Sequence, residues 1–315
     1  MHTLSRRQFL RRSSAFAAMF CLPVAGRTPE LVQGMAAILG TSLGMPDALQ
    51  VSGRAFSRTG VHERPEPTSP LTGYLMPDSI QSILDLSEDG WWYRLPEGYV
   101  PREAMQPIVL SSPPAPEDEN GHYEVVAPLT TIRDYCSGLA PILGRIAFGA
   151  VVYVHDRLTD DNGQVWYAVS GSQSGAGVFG WAPAAHFRRW TQAGSPMLES
   201  PAIWIDTHHH KLTVYDGERL IGESAIHSKP LLRGAGVFMA FAPSTWTMQP
   251  PFVRPWVMAL RGGTGAPAQV HGVYWHNRFG TGSSGTHIEL PTFAARWLFS
   301  MMSSARQTEI PTIIE

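Results

Sequence analysis

The chain has 315 residues, and length alone suggests about two domains of roughly 100–200 residues each. It is 43% hydrophobic and 16% charged, with 24 basic against 26 acidic residues and a net charge of -2. That balance excludes the basic surplus expected of a nucleic-acid or anionic-membrane binder. Thirty Gly, 26 Pro, ten Trp and nine Tyr, with few helix-period runs, predict short strands joined by turns, hence a mainly β protein.

Residues 1–26 read as an address. Ser5-Arg6-Arg7-Gln8-Phe9-Leu10 has the order of a twin-arginine export signal. A weakly apolar run from Ala15 to Gly26 follows, and Val24-Ala25-Gly26 supplies small residues for cleavage. The run is too short to span a bilayer, which needs about 20 apolar residues. The expectation is export by the twin-arginine route, a cell-wall location and no stable membrane span in the mature protein. Cys21 would leave with the signal, so Cys136 would stand alone and no intramolecular disulfide could form. Residues 27–51 show no clear pattern and remain unassigned.

Two stretches then repeat one another. The first runs Arg64, Ser69-Pro70-Leu71-Thr72-Gly73, Gly90-Trp91-Trp92-Tyr93, Gly98-Tyr99-Val100-Pro101. The second runs Arg133, Ala140-Pro141-Ile142-Leu143-Gly144, Val165-Trp166-Tyr167, Gly180-Trp181-Ala182-Pro183. Such self-similarity predicts a duplicated module. The order resembles the bacterial SH3-like repeat and implies two small barrels, at 52–109 and 121–190. A Pro-rich acidic linker (110–120) separates them. A flexible insertion, Gly171 to Gly177, interrupts the second, and a polar break (191–200) follows it.

The last part, 201–315, opens with strand patterns. Ile203-Trp204-Ile205 alternates, and Lys211 to Tyr215 runs through Asp216-Gly217 into Glu218 to Ile221. Asp-Gly between alternating runs predicts a hairpin with both residues at positive φ. A helix is expected over Phe293–Met302, entered through Pro291-Thr292.

His271-Gly272-Val273-Tyr274-Trp275-His276-Asn277-Arg278-Phe279-Gly280-Thr281 resembles the L,D-transpeptidase (YkuD-like) catalytic domain. The likeness extends over nearly all of 201–315. It implies a mostly-β domain with one C-terminal helix, acting on the stem peptides of peptidoglycan without a cofactor. In that family a cysteine thiolate attacks the stem, a histidine sixteen residues upstream is its base, and an amine resolves the thioester. His271 matches the base. The nucleophile segment, Ser-His-Gly-Cys followed by an aliphatic, Asn or Arg, and Leu, aligns here with Ser284-Gly285-Thr286-His287-Ile288-Glu289-Leu290. His287 therefore stands at the cysteine and Glu289 at the Asn/Arg. A gapped alternative puts Thr286 at the nucleophile. Neither alignment supplies sulfur. The family's Thr-Pro-x-Gly-x-Phe wall is reduced to Gly236 and Phe238 in Arg233-Gly234-Ala235-Gly236-Val237-Phe238.

The resemblance thus places His271, His287, Ser284 and Glu289 at catalytic positions and Tyr274, Trp275, Gly236 and Phe238 at binding positions. It implies a catalytically degenerate peptidoglycan binder or regulator. The alternatives are a remodelling enzyme of altered, hydrolytic chemistry and a residual transpeptidase. A metal held by His271, His287 and Glu289 is a further alternative. Each residue also has a plainer reading. His271 would then only hydrogen-bond a backbone carbonyl, and His276 would serve a turn. His208-His209-His210 would be a solvated cluster, Cys136 an inert thiol, and the tryptophan pairs core and rim packing.

Overall fold

The computed structural model describes residues 29–43, 50–111, 119–171, 177–191, 197–229, 234–246, 253–262, 268–282, 287–304 and 309–315. The expected signal segment lies outside them. So do residues 112–118, 172–176 and 192–196 of the expected linkers and insertion, together with Arg233, Ser284, Gly285 and Thr286. The protein is mostly β with a C-terminal helix, as the composition implies. Among the described residues no helix is long and apolar enough to cross a membrane.

The unassigned stretch holds a helix the sequence reading missed, α1 (Pro29–Leu39). Proline suits its first position, where the missing N–H has no helical partner anyway. Met35, Ile38 and Leu39 bury into the core of the first β unit.

That unit contains β1 (Val51–Ala55), β2 (Thr59–His62), β3 (Leu71–Leu75), β4 (Ile80–Ile83), β5 (Asp85–Leu86), β6 (Trp92–Leu95), β7 (Gly98–Pro101) and β8 (Met105–Ile108). The second contains β9 (Gly121–Val125), β10 (Leu129–Arg133), β11 (Ile142–Ala147), β12 (Val151–Thr159), β13 (Val165–Ser170), β14 (Gly180–Pro183) and β15 (Phe187–Arg189).

The pairings repeat. β1 pairs β4 and β8, as β9 pairs β12 and β15. β2 pairs β3 and β7, as β10 pairs β11 and β14. A 3₁₀ turn follows Pro101 in one copy and Pro183 in the other. The long β12 takes the part that β4 and β5 share in the first unit. Trp92 and Trp166 are core, whereas Trp91 is exposed beside the Arg102 guanidinium.

The third unit is one sheet of ten strands: β16 (Pro201–Asp206), β17 (Lys211–Asp216), β18 (Arg219–Ala225), β19 (His227–Ser228), β20 (Gly234–Trp246), β21 (Val253–Gly262), β22 (Ala268–Val273), β23 (Thr281–Gly282), β24 (His287–Pro291) and β25 (Ile310–Ile314). Their order is β18-β17-β16-β25-β20-β21-β22-β24-β19-β23. The β17–β18 hairpin forms, but one residue later than expected. Asp216 pairs Arg219, so the loop is Gly217-Glu218. Positive φ falls on Gly217 and not on Asp216, which suits a turn with glycine first. Helix α2 (Thr292–Ser304) lays Ala294, Ala295 and Leu298 on one face of the sheet, against Val270, Ile288 and Leu290. Strand alternation sends the neighbouring residues to the opposite face.

Candidate functional site

β22 and β24 run parallel, with His271 opposite Glu289 and Gln269 opposite His287. Because Val270, Ile288 and Leu290 face the helix, these four polar side chains share the other face. β19 adds His227, which lies opposite Glu289 on that strand's free side. The segment after β22 folds back to bring Trp275 and His276 over the same face. Its ring centroids lie 5.8 Å (Trp275–His271) and 5.0 Å (His276–His227) from their partners.

His271 is fully buried. Its Nδ1 lies 3.0 Å from the Gly272 carbonyl oxygen. A carbonyl only accepts, so Nδ1 carries the proton and Nε2 presents a lone pair. That Nε2 is buried and has no hydrogen-bond partner among the described residues; nor does His287 Nδ1. The two rings stand 5.4 Å apart. Burial pushes the His271 imidazole down to about 4, and it lowers His287 as well, helped by the Arg254 charge. Arg254 reaches this face from β21 and donates to Gln269 Oε1 at 3.1 Å.

Glu289 is the hub of a second cluster. His276 Nε2 lies 2.9 Å and His227 Nε2 3.9 Å from Glu289 Oε2. Burial alone would raise the Glu289 carboxyl. The hydrogen bond from His276 and the nearby His276, His271 and His227 outweigh it and hold the carboxyl below its ordinary value.

The structure therefore gathers His271, His287 and Glu289 on one face, with Trp275 beside them. His276 serves more than a turn, since it binds Glu289. Tyr274 is buried in the second unit's apolar cluster, and Phe238 is fully buried in the core under α2. Gly236 lies where β20 meets β21, and a Cβ there would come 2.6 Å from the Arg261 carbonyl oxygen. Ser284 and Thr286 lie outside the described residues. Cys136 sits between β10 and β11 of the second unit, and burial, with Asp160, pushes its thiol up. His208 and His209 are exposed in the β16–β17 turn, where Asp206 accepts from both backbone amides.

His227 and Arg254 escaped the sequence reading. Neither carries a local pattern, and only the crossing strands bring them to the site.

No family model matches the chain, and no curated protein matches it. Among solved structures it is similar to an L,D-transpeptidase from Stackebrandtia nassauensis, at 13% identity and TM-score 0.30, over 39% of this chain and 58% of that one. It is similar to an L,D-transpeptidase from Mycobacterium smegmatis at 16% identity and TM-score 0.30, over 61% of this chain and 99% of that one. A third, an L,D-transpeptidase in complex with imipenem, matches at 13% identity and TM-score 0.30, over 66% of this chain and 99% of that one. The chain thus spans under two thirds of the first of these. Similarity of this size assigns neither a reaction nor a site residue.

Proposed function

We propose that this is an exported peptidoglycan-binding protein on an L,D-transpeptidase scaffold, with two SH3-like modules, that has lost acyl transfer. The stem peptide would lie over the face bearing His271 and His287. The observation that carries the reading is the His271–His287 pair. A buried imidazole with an unpartnered Nε2 lone pair is what a cysteine nucleophile needs beside it, yet the ring whose centroid lies 5.4 Å away is a second imidazole. An acyl group on an imidazole hydrolyses readily, so it would not wait for an amine acceptor as a thioester does. Arg254 offers a cation for a stem-peptide carboxylate, and Trp275 an apolar wall.

The test is binding of purified tetrapeptide muropeptides to the full chain, together with intact mass after exposure to a carbapenem. We expect binding that weakens at least tenfold in Arg254→Gln and Trp275→Ala, with no adduct. A stable adduct mapped to residues 284–289, or no muropeptide binding at all, overturns the proposal.

A further inference from the structure

We propose that His227, His276 and Glu289 form a binding site for a divalent first-row transition ion of the zinc type. This is a different set from His271, His287 and Glu289, and it stands independently of the stem-peptide reading.

Three separate elements converge to make it: β19 supplies His227, the segment after β22 supplies His276, and β24 supplies Glu289. One ligand atom from each lies within 4.8 Å of the other two. Tetrahedral zinc, with bonds of about 2.0–2.2 Å, separates neighbouring ligand atoms by roughly 3.3 Å. The distances of 2.9 Å and 3.9 Å to Glu289 Oε2 bracket that value, and the remaining pair lies within 4.8 Å, so small side-chain rotations would bring the three ligand atoms to tetrahedral spacing. All three side chains are largely buried, with exposures of 11%, 17% and 17%.

The tautomer of His227 points the same way. Its Nδ1 lies 2.9 Å from the Thr281 carbonyl oxygen, so that nitrogen carries the proton. In the neutral ring Nε2 then turns a lone pair toward the Glu289 carboxylate at 3.9 Å. A cation placed between these two acceptors would satisfy both. An imidazole whose far nitrogen donates to a backbone carbonyl is also the usual outer support of a metal-bound histidine.

His276 must adjust. Its Nδ1 accepts from the Arg278 amide at 3.2 Å, and its Nε2 proton goes to Glu289. When the ion takes Nε2, that proton moves to Nδ1 and the long Arg278 bond is given up. No net proton need be released. Three protein ligands leave one position open for water, a pattern common to hydrolytic zinc sites.

The experiment uses the full chain, stripped with a chelator and then titrated with Zn²⁺ and, separately, Co²⁺. We expect one equivalent retained after dialysis, a rise in melting temperature with Zn²⁺, and visible tetrahedral Co²⁺ absorption. His227→Gln and Glu289→Gln should each weaken binding at least a hundredfold while the chain stays folded by circular dichroism. His208→Ala with His209→Ala, and separately His287→Gln, should leave binding unchanged. Absence of a retained ion or of a thermal shift in the unmodified chain overturns the site and leaves a hydrogen-bonded His–Glu–His network. Loss of binding in His287→Gln, or in the His208/His209 variant, overturns the ligand assignment. Muropeptide affinity is measured separately, so failure of this site and failure of the peptide reading are distinguishable.

Discussion

Asn277 donates a 2.8 Å hydrogen bond to the hydroxyl of Tyr93, tying the segment that carries Trp275 and His276 to the core of the first β unit. The same hydroxyl donates to the Ile38 carbonyl of α1 at 2.8 Å. Arg102 adds a bond to the Phe279 carbonyl, and Arg54 one to the Tyr274 carbonyl. The first unit therefore braces the segment beside the site. Tyr93→Phe removes the oxygen and leaves a buried donor and acceptor without it. We expect a loss of about 1–3 kcal/mol by urea denaturation, and faster hydrogen exchange over residues 274–280. Unchanged exchange there would refute the bracing role.

The duplicated glycines Gly98 and Gly180 do the same job in the two repeats. A Cβ on Gly98 would lie 2.3 Å from the His62 carbonyl oxygen, and one on Gly180 2.5 Å from that of Arg133. His62 and Arg133 are the residues paired with Tyr99 and Trp181. Both contacts are with backbone, which cannot swing aside. Gly98→Ala and Gly180→Ala should each cost about 1–3 kcal/mol. Gly73→Ala, with nothing within 4 Å of its Cβ position, should stay within about 0.5 kcal/mol. Equal effects at all three would refute the close-approach argument.

These glycines were legible as a repeat because close approach leaves a mark in the local sequence. The same holds for β17, where Leu212 and Val214 bury alternately, and for α2. Helix α1 was not legible. It is 11 residues long with Gly34 inside it, and its support comes from the first unit's core and the Tyr93 hydroxyl rather than from its own pattern. His271, His287 and Glu289 could be placed on one face from alternation and the resemblance. His227 could not, because only the pairing of β19 with β24 brings it to Glu289.

His271 should make stability depend on pH. Its imidazole sits at about 4 in the folded protein, through burial, against 6.5 when unfolded. Above the unfolded value the stabilisation is fully present. As pH falls from 6.5 toward 4, the unfolded state takes up a proton that the folded state refuses, so stability is lost. Below about 4 both states are protonated and the loss is complete, at roughly 3 kcal/mol. His227 and His287, also lowered by burial, act in the same direction. In chelator-treated protein, the wild type should lose about 2 kcal/mol more than His271→Gln between about pH 7.5 and pH 5. Parallel pH curves for the two proteins would count against it.

On the proposed reading, placing sulfur at position 287 should not by itself confer thiolate chemistry. In His287→Cys the new thiol would lie beside His271, whose Nε2 has no hydrogen-bond partner among the described residues. An imidazole held down to about 4 by burial, however, takes up a proton poorly at neutral pH. Glu289, on the same strand face, adds negative charge that opposes both a thiolate and a developing oxyanion. The thiol should therefore titrate at or above the ordinary value of about 8.5, rather than in the lowered range of catalytic cysteines. The measurement is the pH dependence of iodoacetamide alkylation, with Cys21 and Cys136 replaced by serine so that only the new thiol reacts. A second substitution, Glu289→Asn, removes the charge, and it should lower the titration midpoint and speed alkylation at neutral pH. A single His287→Cys variant that already alkylates rapidly near pH 6, or that acylates with a carbapenem at a rate Glu289→Asn does not improve, would show that the face is organised for thiolate attack.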